Sequence, residues 1–207
     1  MRLIIFGSTG SVGRLLVEQA LRDNHQVTAF LRDPAKLPVS HSYLQVVRGD
    51  VLDYQSVESA IKNQEVVLCT IGAGSKGKVR AEGTRNIIRA MENNGVKRLI
   101  CQSTLGAGNS KGNLNFFWKY IMFGMLLKQA YKDHELQENY VIQSKLDWTI
   151  VRPAAFTDGR LTGRYRHGFP PHEKGLTLKI SRADVADFIL NQVTQNTYLR
   201  KTPGQSY

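Results

Sequence analysis

Apolar positions along the chain fall into two alternating rhythms. Six short, nearly continuous runs, RLIIF (2–6), QVTAFLR (26–32), LQVVRGD (44–50), EVVLCTIG (65–72), KRLICQS (97–103) and DWTIVRP (147–153), have the length and β-branched content of buried strands. Between them, apolar residues recur at helical spacing. Val12, Leu15, Leu16, Ala20 and Leu21 mark a helix from Ser11 to about Asp23, and a second covers 54–62. Val79, Gly83, Ile87, Ala90 and Met91 mark a third from Val79 to Asn94, with Gly95 as its stop. Further on, the pattern predicts a Gly- and Asn-rich loop at 105–113 and helical sequence from about 114 to 144. A short strand LTLKI (176–180) and a last helix with the stripe Val185, Phe188, Ile189 and Val193 follow.

Strands alternating with helices around runs this apolar predict the α/β class: a Rossmann-like, doubly wound parallel sheet covered on both faces. A chain of 207 residues suits a single domain, with a small substrate-side insertion around 105–145 and a basic loop around 154–175.

Where RLIIF ends and the first helix begins stands GSTGSVG, Gly7 to Gly13. A glycine triplet alone suits many turns. Placed between a parallel strand and a helix N-terminus it favours a dinucleotide, because free backbone N–H groups and the helix dipole attract an anion there. In this pattern Gly7 serves the turn, Gly10 admits the pyrophosphate and Gly13 lets helix and strand pack closely. The residue some 20 positions on then separates the coenzymes. Arg32 comes first after the second strand, with Lys36 on the next turn, and both suit the 2′-phosphate of NADPH; the neighbouring Asp33 argues the other way. Asp50 and Val51 end the third strand, on the adenine side. Ile71 and Gly72 end the fourth, beside the nicotinamide ribose.

Charge adds an electropositive field. The chain holds 28 Lys+Arg against 17 Asp+Glu, a formal net charge of +11, and part of the excess is concentrated between Arg152 and Arg182. Such a field draws anions in general; it is either a solvated face or the rim of an anionic ligand's site. No nucleic-acid motif accompanies it, so no nucleic-acid partner is expected. The longest apolar run, FFWKYIMFGMLL (116–127), is interrupted by Lys119 and falls short of the roughly 20 residues that span a bilayer, so no membrane partner is expected either. Core-like sequence begins at residue 2, so no leader is expected. Cys69 and Cys101 sit in expected strands rather than in a disulfide framework, so the expected setting is the cytoplasm. His134, His167 and His172 lack metal-ligand spacing, and no metal is expected.

The segments IIFGSTGSVG, VTAFLRDPAKL, VVRGDVLD, EGTRNIIRAM, LICQST, KLDWTIVRP, and DGRLTGRY followed by ISRADVADFIL resemble the biliverdin-IXβ reductase, or flavin reductase, group of atypical short-chain reductases. The resemblance covers nearly the whole chain. It implies an NADPH-dependent oxidoreductase that reduces flavins (FMN, FAD, riboflavin) and bilins, acting as a monomer on a planar anionic acceptor. By position it implies that Thr9, Gly10, Ser11 and Val12 hold the pyrophosphate, Arg32 the 2′-phosphate, and Asp50 and Val51 the adenine. Ile71, Gly72, Ser103, Pro153, Ala154 and Ala155 would then flank the nicotinamide half, with Thr104 in the place of a serine hydroxyl near the substrate. The histidine that follows the proline in the familiar member is Ala154 here, and the aromatic-rich insertion also differs.

A missing motif narrows the chemistry further. Short-chain dehydrogenases that act on alcohols and carbonyls use Tyr-x-x-x-Lys, in which the ammonium lowers the phenol's pKa. Here Tyr140 meets Ser144, Tyr131 meets Glu135 and Tyr120 meets Gly124. Hydride transfer to an acceptor that takes its proton from solvent survives this loss, with Ser103 and Thr104 as the candidate hydroxyls at the reaction centre. Phe117 and Trp118, in the run 116–120, either wall the acceptor site or pack as helix core. A second function class, an NADP-binding redox sensor without turnover, shares the same glycine loop.

Overall fold

The computed structural model describes residues 1–72 and 78–207. Its central sheet runs β3 (Leu44–Arg48), β2 (Gln26–Leu31), β1 (Arg2–Phe6), β4 (Val66–Cys69), β5 (Arg98–Gln102), β6 (Asp147–Pro153), β10 (Gly204–Ser206) and β8 (Arg166–His167). All neighbours pair parallel except β10 and β8. A two-stranded parallel sheet, β7 (Ala155–Thr157) with β9 (Lys179–Ser181), stands beside it.

The alternation of side chains along β1 shows why both faces must be covered. Leu3 and Ile5 join a core with Leu16 and Ala20 of α1 (Ser11–Arg22) and Val185 and Ile189 of α5 (Arg182–Asn191). Ile4 and Phe6 point the other way. They meet Val57 and Ile61 of α2 (Tyr54–Ile61), Ile87 and Met91 of α3 (Val79–Asn94) and Val141 of α4 (Lys128–Gln143). The strand order reverses between β1 and β4, which leaves a crevice beyond their carboxyl ends, where a doubly wound sheet binds its ligand.

Gly95, at φ +70°, ends α3 in the left-handed region, as the pattern predicts. The helical stretch expected from 114 to 144 is not one helix. A π-helix, Phe117–Leu126, comes first, and the chain breaks at Leu127, whose N–H donates five residues back to the Met122 carbonyl before α4 begins. Within the expected loop, Gly108–Asn113 winds as a 3-10 segment. The strand expected at 176–180 starts only at Lys179, because Leu178 at φ +56° interrupts the extended backbone.

A buried ion pair and a buried, hydrogen-bonded carboxylate hold these parts together. Arg152 of β6 donates Nε and Nη2 to the two carboxylate oxygens of Glu138 on α4, at 2.9 and 2.6 Å, and Nη1 to Asn109 at 2.6 Å. Asp184 of α5 accepts from the N–H groups of Thr162 and Gly163 at 2.8 and 2.9 Å, from the Thr162 hydroxyl at 2.8 Å and from Tyr207 at 2.5 Å. One buried carboxylate thus joins the LTGRY segment to the ADVADFIL helix. It stays ionised because these donors outweigh the upward push of burial on its pKa.

Candidate functional site

The glycine turn closes by a hydrogen bond from Gly10 N–H to the Gly7 carbonyl, 2.9 Å. Gly7 sits at φ +87°, and a Cβ there would stand 2.5 Å from the Thr70 carbonyl oxygen. On Gly13 a Cβ would stand 2.1 Å from the Gly7 carbonyl oxygen, so α1 could not approach β1. Gly13 therefore packs rather than lines the site. Gly10 is the N-cap of α1; no side chain caps this end and its first turn carries no acidic residue. The positive end of the helix is left for an exogenous anion, and the glycine cradle fits a diphosphate.

Two cavities flank the turn and meet at Gly10, Ile71 and Gly72. The smaller, about 180 Å³, is bordered by Gly7, Thr9, Arg32, Asp50 and Val51. Arg32 is exposed at its edge. Asp33 is engaged elsewhere, since its Oδ1 accepts the Ala35 N–H at 3.2 Å and its other oxygen lies 4.0 Å from Lys36 Nζ. Asp33, unlike Arg32, is not among the residues that border this cavity. Nor is Lys36, expected beside Arg32. Asp50 Oδ1 accepts from Leu52 N–H at 3.0 Å, and the Val51 carbonyl accepts from Asn86 at 2.9 Å, which pins this edge to α3.

The larger cavity, about 300 Å³, takes in Ser11, Val12, Ser103, Thr104, Pro153, Ala154, Ala155 and Trp118. Phe123, Leu127 and Leu178 add apolar wall. Phe117 does not belong to it. Its ring is half exposed and packs edge-on against Trp118, with centroids 6.0 Å apart, because the wider π-helix turns only Trp118 and Phe123 inward.

Four polar residues on this wall escape a hydrophobic reading: Thr70, Arg80, Gln102 and His134. His134 Nδ1 lies 3.4 Å from Ser103 Oγ. Burial, and then the Arg80 charge, hold its imidazole pKa well below the ordinary value, so the ring is neutral at physiological pH. Arg80 pairs with Asp133, 3.1 Å, while its Nε has no partner among the described residues. Asp133 also accepts the Arg80 and Ala81 N–H groups at 3.3 and 3.1 Å, capping α3 from across the interface. The signal lay in α4: its buried stripe is Ala130, Asp133, Gln137, Glu138 and Val141, helical in spacing but largely polar.

Tyr131 donates to the Gly106 carbonyl at 3.0 Å, and burial with Glu135 pushes its phenol up to about 12, so it stays protonated. Among the described residues no group of three His, Cys, Asp or Glu side chains is placed to hold a metal, and no helix is long and apolar enough to cross a membrane.

Residues 7–196 match the model of the NAD(P)H-binding family. The chain belongs to that family. NAD(P)H is accordingly its cofactor, and the uncapped helix start with its two joined cavities is where a dinucleotide fits. The chain is 28% identical to the UPF0659 protein YMR090W of Saccharomyces cerevisiae, over 98% of this chain and 91% of that one. Among solved structures it superposes on ChuY, an anaerobilin reductase from Escherichia coli O157:H7, with a TM-score of 0.82 and 25% identity, covering 100% of this chain and 97% of that one. A short-chain dehydrogenase/reductase from Veillonella parvula in complex with NADP shares the fold, with a TM-score of 0.82 and 19% identity, covering 100% of this chain and 94% of that one. The doubly wound fold is therefore that of NAD(P)-binding oxidoreductases.

Proposed function

We propose that the protein is an NADPH-dependent reductase whose acceptor is a flat, conjugated, anionic molecule of the flavin or bilin type. The observation that carries this reading is the larger cavity. It adjoins the dinucleotide's turn, its walls are the apolar and aromatic side chains of Trp118, Phe123, Leu127, Pro153 and Leu178, and no Tyr-Lys pair serves it among the described residues. The likeness to an anaerobilin reductase supports the same class of acceptor.

Thr9, Gly10, Ser11 and Val12 hold the pyrophosphate against the helix start, and Arg32, with no acidic partner among the described residues, takes the 2′-phosphate. Asp50 and Val51 border the adenine. Ile71, Gly72, Pro153, Ala154 and Ala155 border the nicotinamide half, whose chemistry when bound is the delivery of a hydride. Ser103, oriented by neutral His134, and Thr104 hydrogen-bond the polar edge of nicotinamide or acceptor. His134 is neutral, and Tyr131, its phenol raised to about 12 and donated to the Gly106 carbonyl, does not border the cavity, so the acceptor's proton comes from solvent.

The test is a panel of FMN, FAD, riboflavin and bilin isomers with NADPH and NADH, followed by the absorbance of the reduced nicotinamide. Catalytic oxidation of NADPH with at least one member is expected, and faster than with NADH. Tight NADPH binding with no turnover across the panel would instead assign the chain to the non-catalytic, sensor-like class.

A further inference from the structure

The π-helix Phe117–Leu126 and the residue before it present two faces. Trp118 and Phe123 turn toward the larger cavity, whereas Phe116 (72% exposed), Tyr120 (53%), Met125 (74%) and Leu126 (65%) stand out in solvent. Phe116, Tyr120 and Met125 recur at intervals of four and then five positions, as a helix closed by i→i+5 bonds requires if they are to share one side. Elsewhere among the described residues, exposed large apolar side chains are scattered along the chain, as on most folded domains; only here do they form a run.

Charge decides what covers this face. From residue 105 to 132 the ionisable acids are absent, while Lys111, Lys119, Lys128 and Lys132 are all cationic, in a chain of net charge +11. A second copy of the chain would bring the same lysines against these, like charge against like. An anionic lipid surface complements them, and exposed aromatic and aliphatic side chains flanked by lysines are what a peripheral, interfacial segment carries. We infer that the outward face of this helix docks the protein onto an anionic bilayer surface. The contact is peripheral, so the shortness of the run 116–127, which falls short of a spanning helix, does not oppose it. Because Trp118 and Phe123 belong to the same helix, docking sets one wall of the larger cavity at the lipid boundary.

The inference is tested by sedimentation of the full chain with vesicles of phosphatidylcholine alone and of phosphatidylcholine with phosphatidylserine, at low and high salt. Expected are clear binding to the anionic vesicles, at least about tenfold less to the neutral ones, and weakening by salt. The double variant Phe116→Ser/Met125→Ser should lose most of the binding, and Lys119→Glu/Lys128→Glu should lose it and its salt dependence, both with unchanged melting temperature and NADPH affinity. Those two controls separate a lost surface from a lost fold, and binding is read without turnover, so it stands or fails apart from the proposed acceptor. Absence of wild-type protein from the anionic pellet would overturn the inference. So would a stable dimer in solution that Phe116→Ser/Met125→Ser dissociates, since the face would then be covered by a second copy.

Discussion

Ser103 Oγ and His134 Nδ1, 31 residues apart in the chain, lie 3.4 Å from each other on the wall of the larger cavity. A neutral imidazole either accepts from the hydroxyl or donates to it, so the pair orients the serine without placing a charge beside the acceptor. Burial and Arg80 keep the folded pKa of His134 below its unfolded value, near 6.5. Below that pH the unfolded chain takes up a proton that the folded chain refuses. The contribution of His134 to stability is therefore complete above about pH 6.5 and declines as pH falls. Urea denaturation from pH 7.5 to 5 should show His134→Gln losing less stability than the wild type, by up to about 1.4 kcal/mol per pH unit. Parallel pH profiles would rule out a buried neutral ring.

Arg32 borders the smaller cavity while Asp33 is occupied by the Ala35 N–H and Lys36. A guanidinium facing a 2′-phosphate makes charge-assisted hydrogen bonds on the order of 1.5–3 kcal/mol. Arg32→Ala should raise the Kd for NADPH by roughly 10- to 100-fold and that for NADH by less than about threefold. Isothermal titration of both coenzymes measures the ratio, and equal losses would remove Arg32 from the 2′-phosphate.

Trp118 is half-buried, faces the cavity and packs against Phe123, with ring centroids 6.0 Å apart. Truncation to Ala removes the flat wall but leaves the glycine turn untouched. The expected result for Trp118→Ala is a KM for the acceptor raised about tenfold or a comparably lowered kcat, with NADPH affinity within about twofold of wild type. Steady-state kinetics with the best acceptor of the panel, beside a thermal melt, would expose a purely structural role as unfolding.

Asp184 is fully buried and gathers donors from Thr162, Gly163, Ser181 and Tyr207. Asp184→Ala removes the acceptor shared by buried Ser181 and by Thr162 and Gly163 at the surface, at a cost of about 1–3 kcal/mol, or roughly 2–12 °C in melting temperature for a chain of this size. Calorimetry of the variant measures it. A shift below about 2 °C would show that water satisfies the segment equally well.

The six strand-like runs, the first and third helices with their boundaries, and the dinucleotide turn were all legible in the order of the residues. Each is a local matter. Two-fold or helical periodicity is written in neighbours, and the turn's glycines are demanded by backbone contacts within a few residues or with the adjacent strand. The segment Gly204–Ser206 escaped notice because Gly, Gln and Ser carry no apolar pattern; they are a strand only because β6 offers an edge. His134 and Arg80 escaped for a related reason, since a polar residue on a buried helical stripe looks like surface until its partner is known.

The sequence by itself thus determined the α/β class, the order of strands and helices, and the glycine turn at the start of the first helix, because short-range sterics and hydrophobic alternation specify them. Only the tertiary structure decided which polar groups meet across the fold, Ser103 with His134, Arg80 with Asp133 and Asp184 with Thr162. It alone also decided that the aromatic run divides between a cavity wall and an outward face. Those outcomes depend on contacts between residues distant in the chain, and the run 116–127, apolar nearly all round, has no periodicity that encodes which side it will offer to solvent.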